Sequence, residues 1–339
     1  MAKGTQPEAH SSLVRSGASE TSRESSSVAI IVPCFNESMT IGKVCDDFHR
    51  ELPSARLYVY DNNSSDDTAS IAKEHGAIVR FEGRQGKGNA MRQAFREIDA
   101  DIYVMVDGDD TYPAESVHAL LEPVLLGSAD LVLGDRLSNQ SYAEENKRHF
   151  HSFGNDLVRW LIKRLYGRPV TDAMTGYRAM SRNFVKAFPM LASGFEIEVE
   201  MDIEAIDKNW RVAEIPINYR DRPEGSFSKL STYRDGVRVL AMIMGLFKDY
   251  KPLLLFSVVG LLSFLMGLVF GIPVIVEYFH THFVERLPSA VLATALCLMG
   301  MLSISCGLIL DTIVKANRKE YEVRVLGRYA PIRDISVPR

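Results

Sequence analysis

From residue 28 onward the chain alternates short apolar runs with longer amphipathic stretches. The runs are VAIIVP (28–33), ARLYVYD (55–61), AIVRF (77–81), DIYVMVD (101–107) and ADLVLGD (129–135). Each is too short for a helix and rich in β-branched or aromatic residues, so each predicts a strand. Between them, residues 38–52, 65–75, 87–98 and 113–126 have the length and apolar spacing of helices. The order β-α-β-α-β-α-β-α-β predicts an α/β fold with a Rossmann-like, mostly parallel sheet covered on both faces. Beyond residue 140 the pattern predicts helices over 149–166 and 195–208, a loop TDAMTGYR (171–178) and a β-like run VAEIPINY (212–219).

The last third is different in kind. Residues 252–276 and 287–310 each run without a charged side chain, and each exceeds the roughly 20 residues a helix needs to cross a bilayer core. Two transmembrane helices are expected. The preceding segment, 231–251, mixes apolar residues with Arg234, Arg238 and Lys248 and predicts an amphipathic helix on the membrane surface. Residues 1–27 have no apolar stretch and predict a disordered tail. A catalytic unit is therefore expected over 28–230 and a C-terminal tail over 311–339. Lys248 and Lys251 precede the first span, and Lys315, Arg318 and Lys319 follow the second. The loop between them has Arg286 against Glu277 and Glu285. Positive-inside bias places both chain ends in the cytoplasm.

Composition then excludes some partners. A formal net charge of -4 gives no basic field for nucleic acid. Cys34, Cys45, Cys297 and Cys306 form no CxxC pair or metal spacing and suit small apolar positions in a reducing compartment.

Parallel sheets bind ligands beyond the carboxyl ends of their strands, and here those ends are polar. They read Pro33-Cys34-Phe35-Asn36-Glu37, Asp61-Asn62-Asn63-Ser64-Ser65-Asp66-Asp67 and Asp107-Gly108-Asp109-Asp110. No GxGxxG follows the first strand, and Gly83 to Gly88 is not a Walker A loop. If the strand stays extended, Asp107 and Asp109 project to one side, and two hard carboxylates select Mg2+ or Mn2+. The alternative is a solvated acidic turn before Pro113. Asp61 could accept from a nucleobase and Glu37 from a ribose hydroxyl, or both could serve turns and helix caps. Glu196, Glu198 and Glu200 share one helical stretch. Their ordinary reading is a solvated or ion-paired face, with a sugar or base role open for one of them.

The order PCFNE, DNNSSDDT, GKGNA and DGDDTYP resembles glycosyltransferase family 2 and its GT-A nucleotide-diphosphosugar fold. LGDR (133–136), KRHFHSFGN (147–155), TDAMTGYR and RPEGSFSKL resemble the branch of dolichyl-phosphate mannose synthases and undecaprenyl-phosphate glycosyltransferases. The resemblance covers residues 28–235. It implies nucleotide-sugar contacts at Pro33, Phe35, Glu37, Asp61 and Lys87, and metal and diphosphate contacts at Asp107 and Asp109. It further implies that Arg136, Arg148 and Ser152 face the acceptor phosphate, and that Arg222 and Lys229 lie in a loop closing over the phosphates. Thr111 stands where many relatives carry Gln, which puts a third protein ligand to the metal in doubt. The implied reaction moves a sugar from a nucleotide-sugar to a polyprenyl phosphate in the bilayer, with a homo-oligomer left open. A processive polysaccharide synthase would resemble proteins with QxxRW, which is absent here. A catalytically silent membrane scaffold is the rival of another class.

Overall fold

The protein is described here from a computed structural model, which covers residues 26–138, 170–220 and 248–326, with 159, 160, 163, 164, 167 and 245 between them. Strands β1 (Val28–Cys34), β2 (Arg56–Asp61), β3 (Ile78–Phe81), β4 (Ile102–Met105) and β5 (Leu131–Asp135) alternate with helices α1 (Ile41–Glu51), α2 (Thr68–Glu74), α3 (Lys87–Glu97) and α4 (Val117–Leu125). These are the expected elements with ends shifted by a few residues: β1 runs one residue further than expected, to Cys34, and the others are shorter. Strand β6 (Arg178–Ser181), helix α5 (Arg182–Ala187), helix α6 (Ile197–Asp207) and strand β7 (Val212–Pro216) follow. Two long helices, α7 (Pro252–Thr281) and α8 (Leu287–Leu326), close the described chain.

The seven strands form one sheet in the order β3-β2-β1-β4-β6-β5-β7. β1 pairs in parallel with β2 and β4, whereas β6 runs antiparallel to both β4 and β5. Where TDAMTGYR (171–178) was expected as a loop, its last residue begins this strand. The alternation was hidden because Arg178, fully buried, occupies a core position. Its guanidinium donates to Asp202 Oδ1 at 2.6 Å and to the Thr175 carbonyl at 3.0 Å, which makes burial of the charge tolerable.

Side chains alternate across the sheet. Ile30 and Val32 pack with Ile41, Val44 and Phe48 of α1 and with Val117, Leu120 and Leu121 of α4. Ala29, Ile31, Tyr103 and Met105 pack on the other face with α3, α5 and α6. At roughly 25 cal/mol per Å2 of apolar surface removed from water, these two layers hold the carboxyl edge rigid.

Helices α7 and α8 are long and apolar enough to cross a membrane. They pack as an antiparallel pair in which Gly260 and Gly300 let the backbones meet; a Cβ on either would lie 2.7 Å from the other's carbonyl oxygen. Ser263 and Ser303 add cross-helix bonds to the Leu296 and Phe256 carbonyls, each at 3.0 Å. The helices also run past their expected limits at 276 and 310. α8 has 40 residues, because the charged segment after Leu310 stays helical and finds partners on the α/β unit.

Candidate active site

Three loops leave the carboxyl ends of β1, β2 and β4 and are laced together. Asn62 N–H donates to the Cys34 carbonyl at 2.8 Å, Ser65 N–H to Asn36 Oδ1 at 2.8 Å, and Glu37 N–H to Thr68 Oγ1 at 2.8 Å. Thr40 Oγ1 reaches the Gly108 carbonyl at 2.6 Å. Each loop contains a non-glycine residue in the left-handed region: Asn36 (φ 53), Asn63 (φ 63) and Asp110 (φ 57). Such backbone persists only where surroundings over-determine it, and it concentrates at functional sites.

Pro33 lies in β1, opposite Tyr60, and Phe35 and Glu37 are half-buried in the loop after it. Asp61 ends β2, is buried, and accepts the Ser64 N–H at 3.1 Å. These residues therefore share one edge of the sheet with Asp107 and Asp109.

The extended geometry expected through Asp107 does not hold, because β4 ends at Met105 and the chain bends over Gly108 to Asp110. Asp107 remains 28% exposed. Asp109 is buried and turns back on its own loop, accepting the Thr111 hydroxyl at 2.6 Å. Thr111 thus anchors the second carboxylate. Gly176 lies against the Asp107 carboxylate, where a Cβ would displace it.

Lys87 stands at the start of α3 and is buried between two carboxylates. Its ammonium bonds Asp107 Oδ1 and, at 2.5 Å, Glu198 Oε1. Burial opposes the charge, but Asp107 and Glu198 outweigh it and hold the lysine's pKa above its ordinary value. Burial pushes the Glu198 carboxyl up, with Lys87 opposing. The flanking glycines are required: a Cβ at Gly88 would meet the Ala192 carbonyl, and Gly86 adopts φ 128 against Ser193.

Of the two ordinary readings of Glu196, Glu198 and Glu200, the ion-paired one holds for Glu198 and the solvated one does not, since Glu198 and Glu200 are buried. Residues 197–206 of α6 are all buried, and its acidic side chains each have a partner. Glu198 has Lys87, Glu200 accepts the Ala192 N–H at 2.9 Å, Asp202 has Arg178, and Glu204 accepts from Tyr250 at 3.0 Å. Burial pushes Asp202 up to about 7, with Arg178 opposing.

Arg136 follows β5 and forks onto buried Asp172, at 2.6 and 2.9 Å, with a third bond of 3.0 Å to the Met174 carbonyl. Its guanidinium lies 5.4 Å from the Tyr219 ring centroid and 6.0 Å from that of Tyr112. The pairing organises 172–176, the segment that ends beside Asp107. Arg148, Ser152, Arg222 and Lys229 lie outside the described residues. Asp172, Gly176 and Tyr112 were missed by sequence reading, since only TDAMTGYR as a block pointed to the first two. Glu198 was considered without its partner.

Residues 29–188 match the family Glycosyl transferase family 2. "Glycosyltransferase AglJ" of Haloferax volcanii is 30% identical over 294 residues, covering 86% of this chain and 95% of that protein. "Dolichyl-phosphate hexose transferase" of the same organism is 30% identical over 212 residues, covering 62% and 90% respectively. Among solved structures, glucosyl-3-phosphoglycerate synthase from Mycobacterium tuberculosis, in complex with Mn2+, UDP-glucose and phosphoglyceric acid, superposes with a TM-score of 0.53. It is 24% identical and covers 66% of this chain and 79% of that one, a likeness of fold. The chain belongs to glycosyl transferase family 2 and is a glycosyltransferase with a GT-A-like mixed sheet.

Proposed function

We propose that this enzyme transfers a sugar from a nucleotide-sugar to a polyprenyl phosphate at the cytoplasmic face of a membrane. The observation that carries the reading is the union of an acidic carboxyl-edge site with two membrane-long helices docked on the same α/β unit. Relatedness to a dolichyl-phosphate hexose transferase supports the lipid acceptor. Because Arg318 and Tyr321 of α8 contact that unit, it lies on the side of Lys315 and Lys319, which positive-inside bias makes cytoplasmic.

A divalent cation fits the site only jointly with substrate. Among the described residues no three His, Cys, Asp or Glu group to hold one, but Asp107 and Asp109 offer two hard carboxylates. Mg2+ characteristically takes one or two of these plus substrate phosphates. Bound there, the cation would offset charge on the departing nucleotide diphosphate.

The chain's own residues do the rest. The acceptor phosphate is already anionic, so its oxygen attacks the anomeric carbon without loss of a proton. The bond to the diphosphate breaks with its electron pair leaving on that group, and configuration inverts. Pro33, Phe35, Glu37 and Asp61 line the edge where base and ribose would lie. Lys87, clamped by Glu198, sets the Asp107 carboxylate. Arg136, forked onto Asp172, orders the 172–176 segment and with Arg148 and Ser152 would face the acceptor phosphate, while Arg222 and Lys229 would close over the donor phosphates.

Incubating the full chain with extracted polyprenyl phosphate and a panel of nucleotide-sugars, then weighing the lipid product by mass spectrometry, tests the reading. A glycosylated lipid phosphate is expected. Transfer only to another acceptor would overturn it.

A further inference from the structure

The membrane helices do more than tether. Helix α8 continues past Leu310, and at about 1.5 Å per residue Arg318 and Tyr321 stand about 12 and 16 Å beyond the end of its apolar run. There Arg318 Nε donates to Asp207 Oδ2 at 3.0 Å, with a second bond from Nη2 to Oδ1. Trp210 Nε1 donates to the Tyr321 hydroxyl at 2.8 Å, and the Lys208 ammonium lies 4.8 Å from the Tyr321 ring centroid. Tyr250, two residues before α7 begins, donates to Glu204 at 3.0 Å. The cytoplasmic ends of both apolar helices therefore grip one place, the last turn of α6 and the residues after it.

α6 is also the helix whose first turn presents Glu198 to Lys87 and Asp107. It is buried along its length, so it transmits position as a rigid rod. Asp207 is 3% exposed and Arg318 33%, which makes this contact a built joint rather than a casual surface pair. Cations at the carboxyl end of α6 also complement its dipole.

We propose that Arg318 and Tyr321 are positioning residues: their clasp on Asp207 and Trp210 fixes the height and tilt of the α/β unit over the bilayer, so that a membrane-bound acceptor meets a donor site held at constant distance. The inference rests on reading α7 and α8 as spans and the acceptor as a lipid. A free nucleotide-sugar needs no such alignment, so loosening the clasp should touch the lipid substrate alone.

The test uses the full chain in nanodiscs, comparing native protein, Arg318→Glu, and Arg318→Glu combined with Asp207→Arg. For Arg318→Glu, KM for polyprenyl phosphate should rise about tenfold while the nucleotide-sugar Kd stays within twofold of native. The charge-swapped double variant should recover most of the loss. Spin labels at Glu74 and Leu302 read the joint without turnover: their distance distribution should broaden in the single variant and narrow again in the double. An unchanged KM and an unchanged distribution in Arg318→Glu would overturn the proposal, as would a double variant no better than the single. If native protein makes no lipid product, the function reading fails by itself, and the spin-label comparison still decides the joint.

Discussion

Replacing Lys87 by Met removes the cation that pairs with both Asp107 and Glu198. Asp107 is 28% exposed and can regain water, whereas Glu198, at 8%, cannot. Breaking a buried ion pair by removing one partner costs about 3–5 kcal/mol. We expect about 3 kcal/mol here, because Glu198 can take up a proton and cap the loss. With roughly 2–4 °C per kcal/mol for a domain of this size, melting in detergent should fall by about 6–12 °C. The sign of the pH dependence follows. Burial already raises the Glu198 carboxyl in the folded protein, and without Lys87 it rises further. A folded state that binds protons more readily than the unfolded one gains stability as pH falls. The deficit of Lys87→Met should therefore be larger at pH 8 than at pH 6. Adding Glu198→Leu removes the orphaned carboxylate and should restore most of the stability, but not turnover, since Asp107 still lacks its clamp. A pH-independent deficit, or a double variant that melts no higher than Lys87→Met, would refute the reasoning.

Other outcomes follow from the same site. Asp109→Ala should cut turnover roughly 100-fold, the equivalent of about 3 kcal/mol of lost leaving-group stabilisation; native rates in EDTA would remove the metal assignment. Gly176→Ala should push Asp107 aside and lower kcat more than tenfold, with melting nearly unchanged. Burial pushes Asp172 up, but Arg136 outweighs it and holds the carboxyl below its ordinary 3.8, so this pair contributes stability above that pH and loses it as pH falls through the depressed folded value. Denaturant midpoints between pH 5 and pH 3 should fall less for Asp172→Asn, relative to its own plateau, than for the native chain. Burial pushes the Cys45 thiol up to about 12, so maleimide at pH 8 should leave it unmodified until denaturant is added.

Much of the scaffold can be read from the amino-acid order. The five leading strands, their intervening helices and the acidic loops at the carboxyl edge are local patterns: alternation for a strand, three-to-four spacing for a helix, and polar residues where the chain turns. The two apolar runs likewise declare themselves by length. Tertiary structure decided whatever depends on a distant partner. The expected loop 171–178 took in the first residue of β6, because buried Arg178 reads as solvent-facing until Asp202, 24 residues on, neutralises it. The acids at the start of α6 read as a solvated or ion-paired face, and only the fold shows which partners arrive: Lys87 for Glu198, Arg178 for Asp202 and Tyr250 for Glu204. Likewise the neighbours of Arg136 in sequence do not reveal that it forks onto Asp172, 36 residues on. Nor does the charge of Arg318, which in sequence counts only toward an expected membrane orientation, reveal that it closes on Asp207, 111 residues away. A buried charge costs several kcal/mol unless paired, and periodicity says where a side chain points but not what the fold will bring to meet it.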